Sequence, residues 1–150
     1  MVDQQFNPSA RRKARHYAMQ AMYQWHMTKY PLNEIEAQFR TDYEKEFKKV
    51  DVAFFHELVH EIPANLTELE EAFTPFLDRD FSELDPIELA LLRLGSYELL
   101  KRIDIPFKVA INETVTLAKK FGATDGHKYI NGVLDKVAQK ARAVEVNAQR

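Results

Sequence analysis

The segment His56-Glu57-Leu58-Val59-His60 has the H-E-x-x-H spacing of a zinc site. On a helix it sets two imidazoles one turn apart, with a glutamate placed to act as general base. A zinc hydrolase also needs a third ligand and a substrate cleft. Glu83 can be named for the ligand, but no spacing favours it over other acids. The expectation is a solvated histidine pair with incidental metal affinity, and no resident metal or cofactor. A second group opens the chain. At about 100° per residue, Ala10, Ala14, Tyr17, Ala18, Ala21 and Trp25 share one helical face. Arg12, Arg15, His16, Met19 and Tyr23 fall opposite, with Arg11 beside them. Cations followed by an aromatic on an exposed face suit single-stranded RNA, pairing with phosphates and stacking a base. A third group is Thr124-Asp125-Gly126-His127-Lys128-Tyr129. A helix start there offers N–H groups to phosphate, Lys128 adds charge and Tyr129 a stacking ring. Asp125 also suits a plain capping role. No G-x-S-x-G, phosphate loop or dinucleotide fingerprint occurs, so an enzyme is not expected.

The elements that must position these groups are helical. The chain has 150 residues, 45% hydrophobic and 29% charged, with 4 Gly and 6 Pro, which describes a globular chain. Zero Cys excludes disulfides, Cys-ligated metal and thiol catalysis. No apolar run opens the chain and none is long enough to span a bilayer, so a cytoplasmic, membrane-free protein is expected. The net charge of −2 conceals an asymmetry. Residues 1–33 carry five Lys/Arg against Asp3, residues 34–98 carry 6 against 17, and residues 99–142 carry 9 against 4. Basic ends around an acidic middle suggest a polyanion on one surface and a cationic partner on another.

Helical periodicity predicts seven helices at about 9–29, 32–44, 50–62, 65–77, 86–102, 106–121 and 125–142, with no strand or hairpin signal. Asp85-Pro86-Ile87-Glu88 reads as a capping box with Pro at the first helical position. Asp104-Ile105-Pro106 separates two helices. Gly122 follows the stripe Phe107, Ile111, Val115, Ala118, Phe121, where a left-handed cap is expected. Asn65 and Thr124 or Asp125 suit N-caps. The first seven and last six or so residues are expected to fray. The helix from Ile87 to Leu100 is apolar nearly all round and belongs at the centre. Ile130, Val133, Leu134, Val137, Ala138 and Ala141 make one stripe on the last helix. The expected fold is all-α, one domain over 1–150. It comprises two small bundles, about 9–80 and 84–142, sharing the central apolar helix.

Several segments together resemble the NusB family of bacterial transcription antitermination factors. They are Arg11-Arg12-Lys13-Ala14-Arg15, Ala18-Met19-Gln20-Ala21-Met22-Tyr23-Gln24-Trp25 and Leu91-Leu92-Arg93-Leu94-Gly95-Ser96-Tyr97-Glu98-Leu99. Pro106-Phe107-Lys108-Val109-Ala110-Ile111-Asn112-Glu113, Lys119-Lys120-Phe121-Gly122-Ala123 and the run from His127 to Lys136 add to the match. The resemblance covers about 9–138 and is more specific in the C-terminal half. It implies an all-helical, non-enzymatic protein that binds boxA RNA of ribosomal RNA operons together with the small-subunit ribosomal protein NusE. That complex joins the elongating RNA polymerase with other Nus factors. By position it implies RNA contacts for Arg11, Arg12, Arg15, Tyr23, Phe76, Asp125, Lys128 and Tyr129. Phe76 stands where a hydrogen-bonding Tyr is expected, so it can stack but not donate. Glu88, at an exposed helix start, matches a partner-facing position, and the acidic middle would attract a basic ribosomal protein. Three alternatives stand beside this reading: the RNA-binding module of a ribosomal RNA cytosine methyltransferase, an interaction protein using its acidic face, and the zinc hydrolase. Neither the α/β domain nor the catalytic Cys of such a methyltransferase is present in the 150 residues.

Overall fold

The computed structural model describes residues 7–149, and they contain α-helices and short 3-10 turns but no strand. The chain is all-α. It divides into two compact units at Ala64/Asn65. The first holds α1 (Pro8–Thr28), α2 (Leu32–Asp42), a 3-10 turn (Glu46–Lys49) and α3 (Val52–Ala64). The second holds α4 (Leu66–Phe73), 3-10 turns at Thr74–Phe76 and Phe81–Glu83, α5 (Pro86–Lys101), α6 (Phe107–Phe121), α7 (Gly126–Ala141) and α8 (Ala143–Ala148). The division falls earlier than the boundary near 80 expected from periodicity, because α4 packs on α5. Among the described residues no helix is long and apolar enough to cross a membrane.

In the first unit, α1 begins where Asn7 Oδ1 accepts the N–H of Ala10 at 3.1 Å and Pro8 fills the first turn. It ends at Lys29, in the left-handed conformation with φ 57°. Both α2 and α3 pack on α1. The core is aromatic: Tyr17 lies 4.8 Å from Tyr43 and 5.1 Å from Phe47, and Phe47 meets Phe55 edge-on at 5.0 Å. Glu36 of α2 ties this helix to α3. His56 Nδ1–H donates to its carboxylate, 2.9 Å from either oxygen, and His60 Nε2–H donates to Oε1 at 2.7 Å. Burial pushes the Glu36 carboxyl up. The hydrogen bonds from His60 and His56, with their charge, outweigh burial and hold it below its ordinary value.

In the second unit α5 is the centre, packed by α4, α6 and α7 and buried continuously from Leu89 to Leu99. Its capping box forms as expected: Asp85 accepts from Glu88 N–H at 2.8 Å and Glu88 from Asp85 N–H at 3.2 Å. Gly95 is required for close packing. A Cβ there would stand 2.5 Å from Leu134 Cδ1 and 3.2 Å from Thr114 Oγ1. Arg93 clamps α4 by donating twice to Glu70, at 2.6 and 3.1 Å. Arg142 closes the far end of α5. Its guanidinium, buried, donates to the carbonyl oxygens of Leu99 (2.8 Å), Arg102 (2.8 Å), Ile105 (3.0 Å) and Glu98 (3.2 Å). It also donates to Glu145 at 2.5 Å. Leu99 lies in the last turn of α5, whose carbonyls lack intrahelical partners, and Arg102 and Ile105 belong to the loop that follows.

Some local expectations change. Gly122 is not left-handed (φ −88°, ψ 179°). Its value is close approach, since a Cβ would lie 2.7 Å from the Ala118 carbonyl oxygen. The left-handed residue is Asp125, φ 65°, which occupies the N-cap position of α7 without a side-chain capping bond. Asn65 likewise makes no capping bond to α4. Ala141, placed on the α7 core stripe, is exposed. The C-terminal tail does not fray as expected: α8 runs to Ala148 and buries Val146. At the other end Asn7 is fixed as a cap, and Met1 to Phe6 lie outside the described residues.

Candidate nucleic-acid interface

Helix α1 presents fewer cations than its helical wheel suggests. Arg12 and Tyr23 are exposed, Tyr23 by 37%. Three turns apart, they return to within about 20° of one face. Arg15, expected outward, is only 3% exposed, and its guanidinium sits 5.2 Å from the centre of the Phe54 ring. Arg11 shares that ring at 5.4 Å and lies 3.7 Å from Asp51. Met19, also expected outward, is buried at 1% exposure. The physical reason is that α1 is covered by two helices rather than one, so its buried arc is wider than a single stripe. Arg15 tolerates this because its stem and flat guanidinium pack on an aromatic face. Conversely, Ala10 and Trp25, expected inward, are only half-buried.

The second unit brings another group together. The 3-10 turn ending at Phe76 packs against α7, and Phe76 is half-buried there. Asp78 N–H donates to the Tyr129 hydroxyl at 3.4 Å, and the Arg79 guanidinium covers the Tyr129 ring at 4.1 Å. Burial pushes the Tyr129 phenol above its ordinary value, against the pull of the Asp78 N–H. One face of that ring is therefore taken by an arginine. Lys128 extends into solvent beside Asp125, 3.6 Å away, both largely exposed. The N–H groups of Gly126 and Lys128 already donate to Ala123 and Asp125 carbonyls. The start of α7 accordingly offers charge and a ring more than open N–H donors. Arg79 was not singled out on the sequence. It stands outside the periodic helices, where patterning carries no signal. The clue available was its placement two residues after Leu77, close behind Phe76.

Glu88 is placed differently from expectation. Its side chain is only 15% exposed, one oxygen caps Asp85, and the other lies 3.6 Å from Arg79. The capping box demands this, because the third residue of the helix folds back over the first turn. The H-E-x-x-H histidines meet Glu36, not Glu83, which lies in the second unit. Glu36 is distant in sequence, so spacing could not identify it.

Comparison with known proteins fits this arrangement. Residues 12–139 match the NusB family model. The chain is 57% identical over 138 residues to the transcription antitermination protein NusB of Pseudomonas fluorescens, covering 92% of this chain and 82% of the relative. It is 54% identical over 143 residues to the NusB of Saccharophagus degradans, covering 95% and 94%. Among solved structures, NusB of T. maritima superposes with a TM-score of 0.75 at 25% identity, covering 85% of this chain and 89% of that one. By family model, sequence and fold alike, the chain belongs to the NusB family.

Proposed function

We propose that this protein is an antitermination factor that acts without catalysis, in the cytoplasm, by binding boxA-type single-stranded RNA together with the ribosomal protein NusE. The complex then joins the elongating RNA polymerase with other Nus factors. The observation that carries this reading is the exposed Arg12–Tyr23 stripe on α1 in a chain of this family. Arg12 pairs with phosphate and Tyr23 stacks a base. Arg11 adds positive potential from its half-buried position, and Arg15 holds the Phe54 ring and so sets the backbone of this face. On the second unit, Lys128 supplies charge, Asp125 accepts from base or ribose donors, and Phe76 and the free face of Tyr129 stack. Arg79 braces that ring. Glu88 contributes its negative charge to the NusE-binding face from a capped, oriented helix start.

The test is fluorescence anisotropy with a boxA RNA and a scrambled control, with and without NusE. Binding should be weak for the chain alone and tighter and selective with NusE. Arg12→Gln should reduce the magnitude of the salt slope by about 0.7, the contribution of one phosphate contact on a single strand. Equal affinity for scrambled RNA in the presence of NusE would overturn the specific claim.

A further inference from the structure

The H-E-x-x-H pair has no part in RNA binding as proposed above, and its surroundings point elsewhere. We propose that Glu36, His56 and His60 form a site for one divalent transition-metal ion of the zinc class, bracing α2 against α3. The donors converge. His56 and His60 lie one turn apart on α3 with ring centroids 4.3 Å apart. Glu36 reaches across from α2 and meets both rings at one carboxylate, 2.7 to 2.9 Å away. One donor atom from each residue lies within 4.8 Å of the others.

Two imidazoles and a carboxylate are the donor set of open three-ligand zinc sites. Zinc bonds of about 2.0–2.1 Å place tetrahedral ligands roughly 3.3 Å apart. The nitrogen-to-oxygen separations here are shorter than that by about half an ångström. The ion therefore enters by a small outward shift of the carboxylate, in exchange for the two N–H···O bonds. Glu36 is 10% exposed, whereas His56 is 60% exposed and leaves solvent access for the water ligands that complete the shell. Arg40 is the competing cation, its Nη1 3.9 Å from Glu36 Oε2. Its side chain is about half exposed and can swing into solvent when the ion arrives. These groups lie on α2 and α3, and none is among the residues assigned to RNA or NusE, so the site stands independently of the RNA-binding reading.

The test uses the full chain made without an affinity tag, stripped with chelator and titrated with zinc chloride by calorimetry. Uptake should saturate at one ion per chain and raise the melting temperature by mass action. His56→Gln/His60→Gln should bind at least ~100-fold more weakly. The control His16→Gln/His26→Gln/His127→Gln removes every other histidine and should bind as the parent does. No saturable uptake, or uptake lost in the control and kept in the double variant, would overturn the proposal. A readout on the intact chain covers misfolding of the double variant. Cobalt should broaden the imidazole proton resonances of His56 and His60 alone, and broadening spread evenly over all five histidines would count as refutation.

Discussion

Arg142 shows how one side chain can hold a helix end. Four carbonyl oxygens and the Glu145 carboxylate converge on a single guanidinium, which only a planar fork of five donors can satisfy. Arg142→Lys keeps the charge but leaves most of those buried acceptors unmade. It should cost about 2–4 kcal/mol in urea denaturation, and a loss below 1 kcal/mol would show that the fork is dispensable. Glu145 shares this cluster. The Phe107 N–H hydrogen bond at 2.8 Å, helped by Arg142 and opposed by burial, holds its carboxyl below the ordinary range. A depressed native value means stability that is present above the unfolded pKa and is lost as pH falls through the folded one. Glu145→Gln should therefore flatten the acid limb of the stability curve, measured by thermal melts from pH 6 downward. An unchanged limb would remove Glu145 from the account. None of this was legible in the sequence, where Arg142 marked only the end of a pattern. Its acceptors lie about forty residues upstream.

At the scale of the helices, what was legible followed from local chemistry. The Asp85–Glu88 box and the all-round apolarity of α5 depend on neighbours in sequence, and both appear as expected. The outward face of α1 did not, because it depends on how many helices cover it. Gly95 was visible only as part of a family-like segment. The structure gives its purpose, a seat for Leu134 against Thr114. Both neighbours are fully buried, so Gly95→Ala should destabilise by about 1–3 kcal/mol despite the better helix propensity of alanine. A stabilising result would mean the Leu134 side chain repacks freely. At the start of the same helix, Glu88→Gln preserves the capping geometry and removes the charge. It should leave the melting temperature within a few degrees and weaken NusE binding, whereas Glu88→Ala should lower both. Calorimetry beside a binding titration separates the two. Loss of stability in Glu88→Gln would show that the charge, not the cap, holds the turn.

Across the whole chain, charge is distributed unevenly: residues 34–98 carry 17 acids against 6 bases, between basic ends. The acidic run crosses the division at Ala64/Asn65, so both units carry part of it. Association with a basic ribosomal protein should consequently be steered by charge. Its stopped-flow rate constant should fall by on the order of 10-fold as salt rises from dilute buffer to several times the physiological level. A rate indifferent to salt would assign the acidic run to solubility alone. The helical class and family were readable throughout, since helix period and short motifs survive as local patterns. The Glu36–His56–His60 and Arg79–Tyr129 clusters were not, since each joins segments that only folding brings together. The anchoring of α5 by Arg142 carries a consequence for synthesis. While the ribosome still holds the last turn of α7, the carbonyls at the end of α5 have no guanidinium to receive them. The second unit must then wait, incompletely closed, until Arg142 itself has emerged.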